Sequence, residues 1–238
     1  MPFDKSNEEK ANRLLAALSS TEYERLLPDF KEVCLENNQV IYQSNEEITE
    51  VYFPLDALVS IVSTLKDGST TEIAVVGNQG MVGLPAFWGG SNSIVNTVVQ
   101  VAGSAIKLSA SKLRSECSRK GELEKLLQLY TQALFAQIAQ NAACSSHHKI
   151  EKRLARWLLT VGDCIPQHEL PLTQEFMASM LGVRRSGVTQ AAGMLQKAQI
   201  IHYVRGKITI LDRERLEENS CECYQVVKQE YKRLFDNL

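Results

Sequence analysis

The sequence has few of the residues on which most catalytic metal sites depend. Only four of its 238 residues are histidines, and the first of them is His147. A β-rich metal enzyme of the cupin type needs inward-facing histidines together with a carboxylate, yet residues 1–146 contain no histidine. The chain also lacks a P-loop, a GxSxG nucleophile motif and a Rossmann glycine pattern. These absences predict a protein that is not an enzyme.

Long apolar runs and secretion signals are missing as well. Runs such as Ile73–Val76 fall far short of the roughly 20 apolar residues needed to span a membrane. Met1–Glu9 carries Asp4, Glu8 and Glu9 in place of the basic and then apolar pattern of a signal peptide. We therefore expect a cytoplasmic protein with no membrane partner.

The six cysteines include no CxxC pair. Disulfides are not expected in a reducing compartment, and Cys221 and Cys223 are spaced too closely for the usual zinc hairpin. His147 and His148 are adjacent, so on a helix they point in different directions. We interpret all six cysteines as ordinary thiols and predict no metal site.

The small net charge of −2 conceals two oppositely charged segments. Residues 1–148 hold 12 Lys and Arg against 17 Asp and Glu, a net charge of −5. Residues 149–215 hold 11 against 6, a net charge of +5. This division predicts two domains, of which the second is suited to a polyanion.

Short runs rich in β-branched and aromatic residues predict a β domain before residue 120. The tetrapeptide Lys66-Asp67-Gly68-Ser69 between two such runs is a hairpin signal. About eight short strands at this spacing are typical of a sandwich, jelly roll or small barrel. The predicted strands are Val33–Leu35, Val40–Gln43, Val51–Pro54, Leu58–Leu65, Thr71–Val76, Gly80–Leu84, Thr97–Val101 and Ala105–Leu108.

From Glu122 the apolar residues follow helical spacing, on a face too wide for a single neighbour. We predict that the β domain covers one side of this helix and that a twin helix from a second subunit covers the other. Gln137 and Asn141 would set the register of that pair. A helix that packs only within its own chain is the alternative. The Ser145-Ser146 step interrupts the pattern and is the predicted hinge.

A helix-turn-helix follows in the basic segment. Thr173 is a good N-cap for a short first helix, and Gly182 ends it. At 100° per residue, the second helix (184–197) gathers its small and apolar residues on one side. Polar side chains that can read base edges lie on the other side. These side chains are Arg185, Ser186, Thr189 and Gln190.

Two short runs around the turn Arg205-Gly206-Lys207 predict a basic hairpin beside the helix-turn-helix, that is, a wing. Arg205 and Lys207 would reach phosphates next to the groove. Arg184 projects away from the reading face, which favours a phosphate or intraprotein contact. The remainder, Arg213–Leu234, is predicted to form one helix.

In this order of elements the chain resembles the bacterial Crp/Fnr transcription regulators. The most specific similarity runs from Leu172-Thr173-Gln174-Glu175 through Gly182–Thr189, followed by Ile201-His202-Tyr203 and Arg205-Gly206. Arg185 matches the arginine of the family's recognition helix. Ser186 stands where many members carry a base-reading glutamate, and Gln190 where some carry a second arginine. The operator therefore need not be the familiar one.

The resemblance implies an α+β fold with three parts. These are a double-stranded β-helix or jelly-roll domain resembling cyclic-nucleotide-binding domains (1–120), a dimerisation helix (121–146) and a winged helix-turn-helix domain (147–238). It also implies a homodimer on pseudo-palindromic double-stranded DNA and, for an activator, contact with RNA polymerase. The expected DNA-binding residues are Thr173, Gln174, Arg184, Arg185, Ser186, Thr189, Gln190, Arg205 and Lys207.

The effector region departs from the nucleotide-binding members. Met81 stands in place of the glutamate that would hold the ribose, and Asn96 in place of the arginine that would pair with the cyclic phosphate. Burying a phosphodiester without a cation is costly, so we expect neither cyclic AMP nor cyclic GMP as a cofactor. The candidate effector pocket comprises Gly80, Met81, Gly83, Leu84, Asn96 and Thr97.

The sequence also limits which other effectors the protein could sense. The N-terminal cysteine cluster of the oxygen-sensing members is absent, so iron–sulfur sensing is not expected. Haem sensing remains an alternative, but no histidine precedes His147, so an N-terminal histidine could not be the haem ligand. The alternative function is a small-molecule or thiol redox sensor that acts mainly through protein contacts. Its thiols would be Cys221 and Cys223, or Cys144 near the dimer seam.

Overall fold

The structure, a computed structural model, describes residues 12–165 and 169–236. The acidic start at Met1–Glu9 lies outside these residues. Two short helices, α1 (Arg13–Ala16) and α2 (Ser20–Leu26), precede the β domain. Its strands are β1 (Lys31–Leu35), β2 (Val40–Tyr42), β3 (Glu50–Pro54), β4 (Leu58–Thr64), β5 (Thr70–Val76), β6 (Asn96–Val101) and β7 (Gly103–Ser109).

The seven strands form two antiparallel sheets, with the orders β1-β7-β3 and β2-β6-β4-β5. Seven of the eight predicted strands are confirmed. The predicted strand Gly80–Leu84 is wrong, because only Val82 makes a bridge there, with Tyr52. Gly83 then adopts a left-handed conformation (φ +97°), and a 3-10 turn at Leu84–Ala86 contains a proline, so the extended run stops.

The hairpin between β4 and β5 forms at the predicted tetrapeptide. Gly68 takes a positive φ of +85°, and the Asp67 carboxylate accepts bonds from the backbone N–H and the hydroxyl of Ser69, at 2.9 and 2.6 Å. These bonds lower the pKa of Asp67, since they favour its charged form.

We call this two-sheet domain, residues 31–109, the roll. Two helices follow it, α3 (Ala110–Cys117) and the 26-residue α4 (Glu122–His147). The prediction that Gln137 and Asn141 set a dimer register is wrong. Gln137 Oε1 accepts the N–H of Val75 at 2.9 Å, and Asn141 Nδ2 donates to the carbonyl of Ile73 at 2.8 Å. Because β5 is an edge strand, these amides satisfy backbone groups that no neighbouring strand pairs.

The predicted hinge at Ser145-Ser146 is also wrong. Both hydroxyls bond back to the carbonyl of Ala142, at 2.8 and 3.1 Å, and α4 continues to His147. The chain becomes extended only at His148 (ψ 145°) and Lys149 (ψ 154°) before α5 (Ile150–Cys164) begins. We call His148–Lys149 the joint.

The C-terminal elements are β8 (Glu169–Leu170), α6 (Gln174–Leu181), α7 (Arg185–Lys197), β9 (Ile201–Val204), β10 (Lys207–Ile210), α8 (Arg213–Asn219) and α9 (Cys223–Asp236). They share a core that extends to Leu58 and Val75 of the roll. The single helix predicted for Arg213–Leu234 is wrong, because Ser220 is extended (ψ 179°) and its hydroxyl bonds the carbonyl of Glu217. α9 then runs along α4, and Leu234 joins the core of the roll.

Among the described helices, none has both the length and the apolar character needed to cross a membrane.

Candidate nucleic-acid interface

α6 and α7 meet at a turn that the local sequence specifies. Thr173 Oγ1 accepts the N–H of Phe176 at 3.1 Å and so caps the start of α6. Gly182 ends that helix in a left-handed conformation, with φ +62°. The N–H of Val183 then bonds the carbonyl of Ala178 at 2.9 Å. This closure lets α7 begin only three residues after Gly182.

α7 has the two faces that its sequence pattern predicts. Val188, Ala191, Ala192 and Leu195 are buried in the core shared with α5 and α6. The opposite face and the residue before the helix are open to solvent. The exposed predicted residues here are Arg184, Arg185, Ser186, Thr189 and Gln190.

Side chains from α6 contact two of these groups. The Thr189 hydroxyl lies 2.6 Å from Gln174 Oε1 and 3.0 Å from the carbonyl of Arg185. Arg185 Nη1 lies 3.7 Å from the carboxylate of Glu175, and both side chains are more than 60% exposed, at 66% and 76%. Glu175 was not among the predicted site residues, since its place in the first turn of α6 does not show that it faces α7. An ion pair this exposed is weak, so Arg185 can exchange it for another acceptor.

The wing is a two-residue hairpin. Arg205 (φ +49°) and Gly206 (φ +80°) both have positive φ, as a type I′ turn requires. Arg205 and Lys207 are exposed, and Lys207 Nζ lies 2.6 Å from a carboxylate oxygen of Glu169. A Cβ on Gly206 would lie 3.3 Å from Thr173 Cγ2, so the wing turn is beside the start of α6. The short β8, which was not predicted, completes a three-stranded sheet with the wing.

Arg184 is the N-cap residue of α7, with extended backbone (ψ 142°) and no side-chain capping bond. No acidic residue occurs in the first turn of the helix. The positive end of the helix dipole therefore lies beside the exposed Arg184 and Arg185. Such a helix end favours an anion.

The predicted effector residues do not form one site. Met81, Gly83, Leu84 and Thr97 line a cavity of about 70 Å³ between the roll and α4, whose described lining contains no Lys or Arg. Asn96 is not part of that lining. Its amide instead accepts from the N–H of Ser44 at 2.8 Å and donates to Thr64 at 3.0 Å.

Gly80 lines a different and larger cavity of about 370 Å³. This cavity lies between the end of β5, α4, α5 and α9, and its polar lining includes Arg13, Gln79, Asp163 and Lys228. No sequence motif marked it, because its walls come from segments more than 200 residues apart along the chain.

A buried carboxylate connects the roll to the basic domain. Glu72 on β5 accepts bonds from the Ser60 hydroxyl and from Trp157 Nε1 on α5, both at 2.7 Å. Burial raises the pKa of Glu72 to about 7, because the bonds from Ser60 and Trp157 and the charge of Arg156 only partly offset the loss of hydration. The sequence did not indicate that Glu72 is buried, because a single carboxylate on a predicted strand is usually exposed to solvent.

Two family models match the chain in the order predicted from its sequence. The cyclic nucleotide-binding domain matches residues 32–120, and the Crp-like helix-turn-helix domain matches residues 152–219. A search of curated proteins gave no match.

Solved structures share the fold over about four fifths of the chain. FixK2 from Bradyrhizobium japonicum is 17% identical with a TM-score of 0.70, over 81% of this chain and 98% of FixK2. TTHA1359, a CRP/FNR family regulator from Thermus thermophilus, is 20% identical with a TM-score of 0.63, over 80% and 98%. The c-di-GMP responsive regulator CLP from Xanthomonas campestris is 14% identical with a TM-score of 0.64, over 81% and 99%. At these identities the structures show the fold, and with both family models they show that the chain belongs to the Crp/Fnr family of DNA-binding, non-enzymatic transcription regulators.

Proposed function

We propose that this regulator binds double-stranded DNA of a specific sequence as a homodimer, with one α7 helix from each subunit in successive major grooves. Two such helices related by a two-fold axis would lie about 34 Å apart and read a pseudo-palindrome. The exposed polar face of α7 is the observation that supports this proposal. The opposite face of the helix makes the core contacts, so the polar side chains are not needed for packing. Such a regulator would act on the chromosome in the cytoplasm and, as an activator, would contact RNA polymerase.

Each group on this surface has a distinct task. Arg185 suits the two acceptors of guanine and Gln190 suits adenine, while Ser186 and Thr189 bond to either base. Arg184 at the start of α7 supports phosphate binding, as do Thr173 and Gln174 at the start of α6. Beside them, Arg205 and Lys207 on the wing would reach phosphates that flank the groove.

The second subunit would cover an exposed apolar stripe on α4. Phe135 is 69% exposed, Ile138 is half-buried and Ala142 is exposed, one helical turn after another. Trp88, which is 51% exposed and donates to Thr131 at 3.1 Å, extends the stripe onto the roll. Large exposed apolar side chains in one row favour a paired helix. We therefore propose that the α4 helices of two subunits pair through Phe135, and not through Gln137 and Asn141 as the sequence predicted.

The roll would act without cyclic AMP or cyclic GMP. The cavity between the roll and α4, at about 70 Å³, is well below the roughly 300–1,000 Å³ of typical small-molecule sites. The described lining holds no cation to pair with a phosphate. An effector of another class, or none, would then shift the pairing of the α4 helices and turn the basic domains about the joint.

Selection of binding sites from random duplexes at moderate salt tests the proposal. We expect enrichment of a two-fold symmetric sequence with half-sites about 10 base pairs apart. An Arg185→Ala, Gln190→Ala double variant should enrich no comparable sequence, whereas a Lys197→Ala control at the far end of α7 should select the wild-type site. Absence of enrichment with the wild-type chain would instead favour regulation through protein contacts.

A further inference from the structure

Three cysteines and one histidine meet at the joint. Cys144 lies in the last turn of α4, His148 directly follows that helix, and Cys221 and Cys223 lie where α8 gives way to α9. Their four donor atoms are all within 4.8 Å of one another. The cysteines are 0%, 3% and 1% exposed, and among the described residues they form a small buried cluster of their own. We call these four residues the thiol cluster.

The spacing within the thiol cluster fits a single ion. The sulfurs of Cys144 and Cys221 are 3.5 Å apart, and Cys223 Sγ lies 3.5 Å from His148 Nδ1. A tetrahedral zinc with Zn–S of about 2.3 Å and Zn–N of about 2.0–2.1 Å separates its donors by roughly 3.5–3.8 Å. Both observed distances are therefore close to the edges of such a tetrahedron.

The surrounding residues orient the histidine as metal sites do. His148 turns Nδ1 toward the sulfurs, and its Nε2 lies 3.3 Å from a carboxylate oxygen of Glu222. A ligating histidine ordinarily donates its second N–H to such a partner, which fixes the ring and its tautomer. Gln140 also donates to Cys223 Sγ at 3.4 Å, a bond that stabilises a thiolate.

We propose that Cys144, His148, Cys221 and Cys223 bind one Zn²⁺ ion as a structural site. Three thiolates and one imidazole form a known tetrahedral zinc set, and four protein donors leave no open position for catalysis. An iron–sulfur cluster distributes its cysteines over several irons and so needs donors spread more widely. A disulfide between Cys144 and Cys221 would use two of the four donors and leave the paired orientation of His148 and Glu222 without a role.

Zinc here would fasten the start of α9 to the end of α4, next to the break that leads into α5. The interpretation of these cysteines as ordinary thiols rested on local spacing. Cys144 and Cys221 are 77 positions apart, so only the packing of α9 along α4 brings them together.

Cobalt titration of the full-length protein tests the site. The chain is purified under anaerobic, reducing conditions, stripped with a chelator and titrated with Co²⁺. We expect one Co²⁺ per chain, with the visible absorption of tetrahedral Co²⁺ and a thiolate-to-cobalt charge-transfer band, both removed by one equivalent of Zn²⁺. Glu222→Gln should bind the metal about 10–100-fold more weakly, because it loses the carboxylate behind His148.

Matched variants locate the metal. Cys223→Ser should weaken the charge-transfer band and lower affinity more than Glu222→Gln does. Cys34→Ser, at an exposed thiol on β1, and His147→Ala, beside the ligand, should leave the titration unchanged. A wild-type chain with reduced thiols and no charge-transfer band would overturn the proposal, as would an unchanged titration in Cys223→Ser. The experiment uses no DNA, so its failure is separate from failure of the proposed function.

Discussion

Arg185 and Lys207 are both exposed cations on the candidate DNA surface, but they would reach different parts of the duplex. Arg185→Ala should cost about 1–3 kcal/mol on the selected site and relax base preference there, because it removes a contact to a base edge. Lys207→Ala should weaken binding to selected and scrambled duplexes about equally, because it removes a phosphate contact. Gel-shift titrations on both duplexes measure the two effects.

Lys197→Ala is the matched control, since Lys197 is an exposed cation on the same helix as Arg185 but at its far end. It should leave base preference unchanged. Equal affinity of wild-type and Arg185→Ala protein for the selected site would show that the recognition face is assigned wrongly.

We expect Glu72 to make folding stability depend on pH. Its pKa of about 7 in the folded chain lies above the ordinary value of 4.5, so the folded state holds the proton more tightly. The free energy of unfolding should therefore fall as pH rises from about 4.5 to about 7, by roughly 3 kcal/mol at most. Glu72→Gln keeps the partners Ser60 and Trp157 while removing the titration, so it should flatten this dependence.

Urea unfolding at several pH values between 5 and 8 measures the slope. Glu32→Gln, at an exposed carboxyl on β1, is the control and should retain the wild-type slope. If Glu72→Gln also keeps that slope, the proton is bound elsewhere.

At the scale of the elements, two glycines of the helix-turn-helix should respond oppositely to the same substitution. Gly182→Ala places a side chain at φ +62°, where its Cβ would meet Thr71 Oγ1 at 2.9 Å. We expect it to lower the free energy of unfolding by about 1–2 kcal/mol or more. Gly193→Ala, within α7, meets nothing within 4 Å and should raise it by about 0.5–1 kcal/mol.

Thermal or urea unfolding of both variants gives the comparison, with each serving as the control for the other. Destabilisation by Gly193→Ala would mean that the exposed face of α7 is covered in the folded protein. A neutral Gly182→Ala would mean that the turn does not need a left-handed residue.

The elements also show where local pattern suffices. The faces of α7 follow from the spacing of Val188, Ala191 and Leu195, because an amphipathic helix exposes the same side wherever it packs. The residues on α4 were harder to assign. Gln137 and Asn141 are polar residues of the kind that set register between paired helices, but here they form hydrogen bonds with the backbone of β5.

At the scale of the whole molecule, the apolar stripe of α4 predicts the assembly state. Phe135→Glu should convert the proposed dimer to a monomer, because it places one charge from each subunit at the centre of an apolar seam. Light scattering coupled to size exclusion measures the mass. Binding to a full palindrome should weaken far more than binding to a half-site.

Leu65→Glu is the control, since Leu65 is also largely exposed, at 64%, but lies beside the hairpin turn after β4. It should remain dimeric. A dimeric Phe135→Glu would show that the subunits pair through another surface.

The sequence by itself determined the order of the domains, most of the strands, the turn at Gly182, the basic wing and the exposed polar face of α7. These features depend on periodicity, turn residues and charge within about 20 residues, so they do not require knowledge of long-range contacts. Even the break at Gly80–Leu84 carried a local signal in Gly83 and Pro85.

Only the tertiary structure decided which distant groups meet. The carboxylate of Glu72 gains its raised pKa from burial against α5, and the thiol cluster exists because α9 returns along α4. Likewise, the α4 amides bond to β5, while Phe135 remains exposed. Burial and hydrogen bonding depend on the neighbours that packing supplies, and a residue pattern along one segment does not specify the segment that will lie against it.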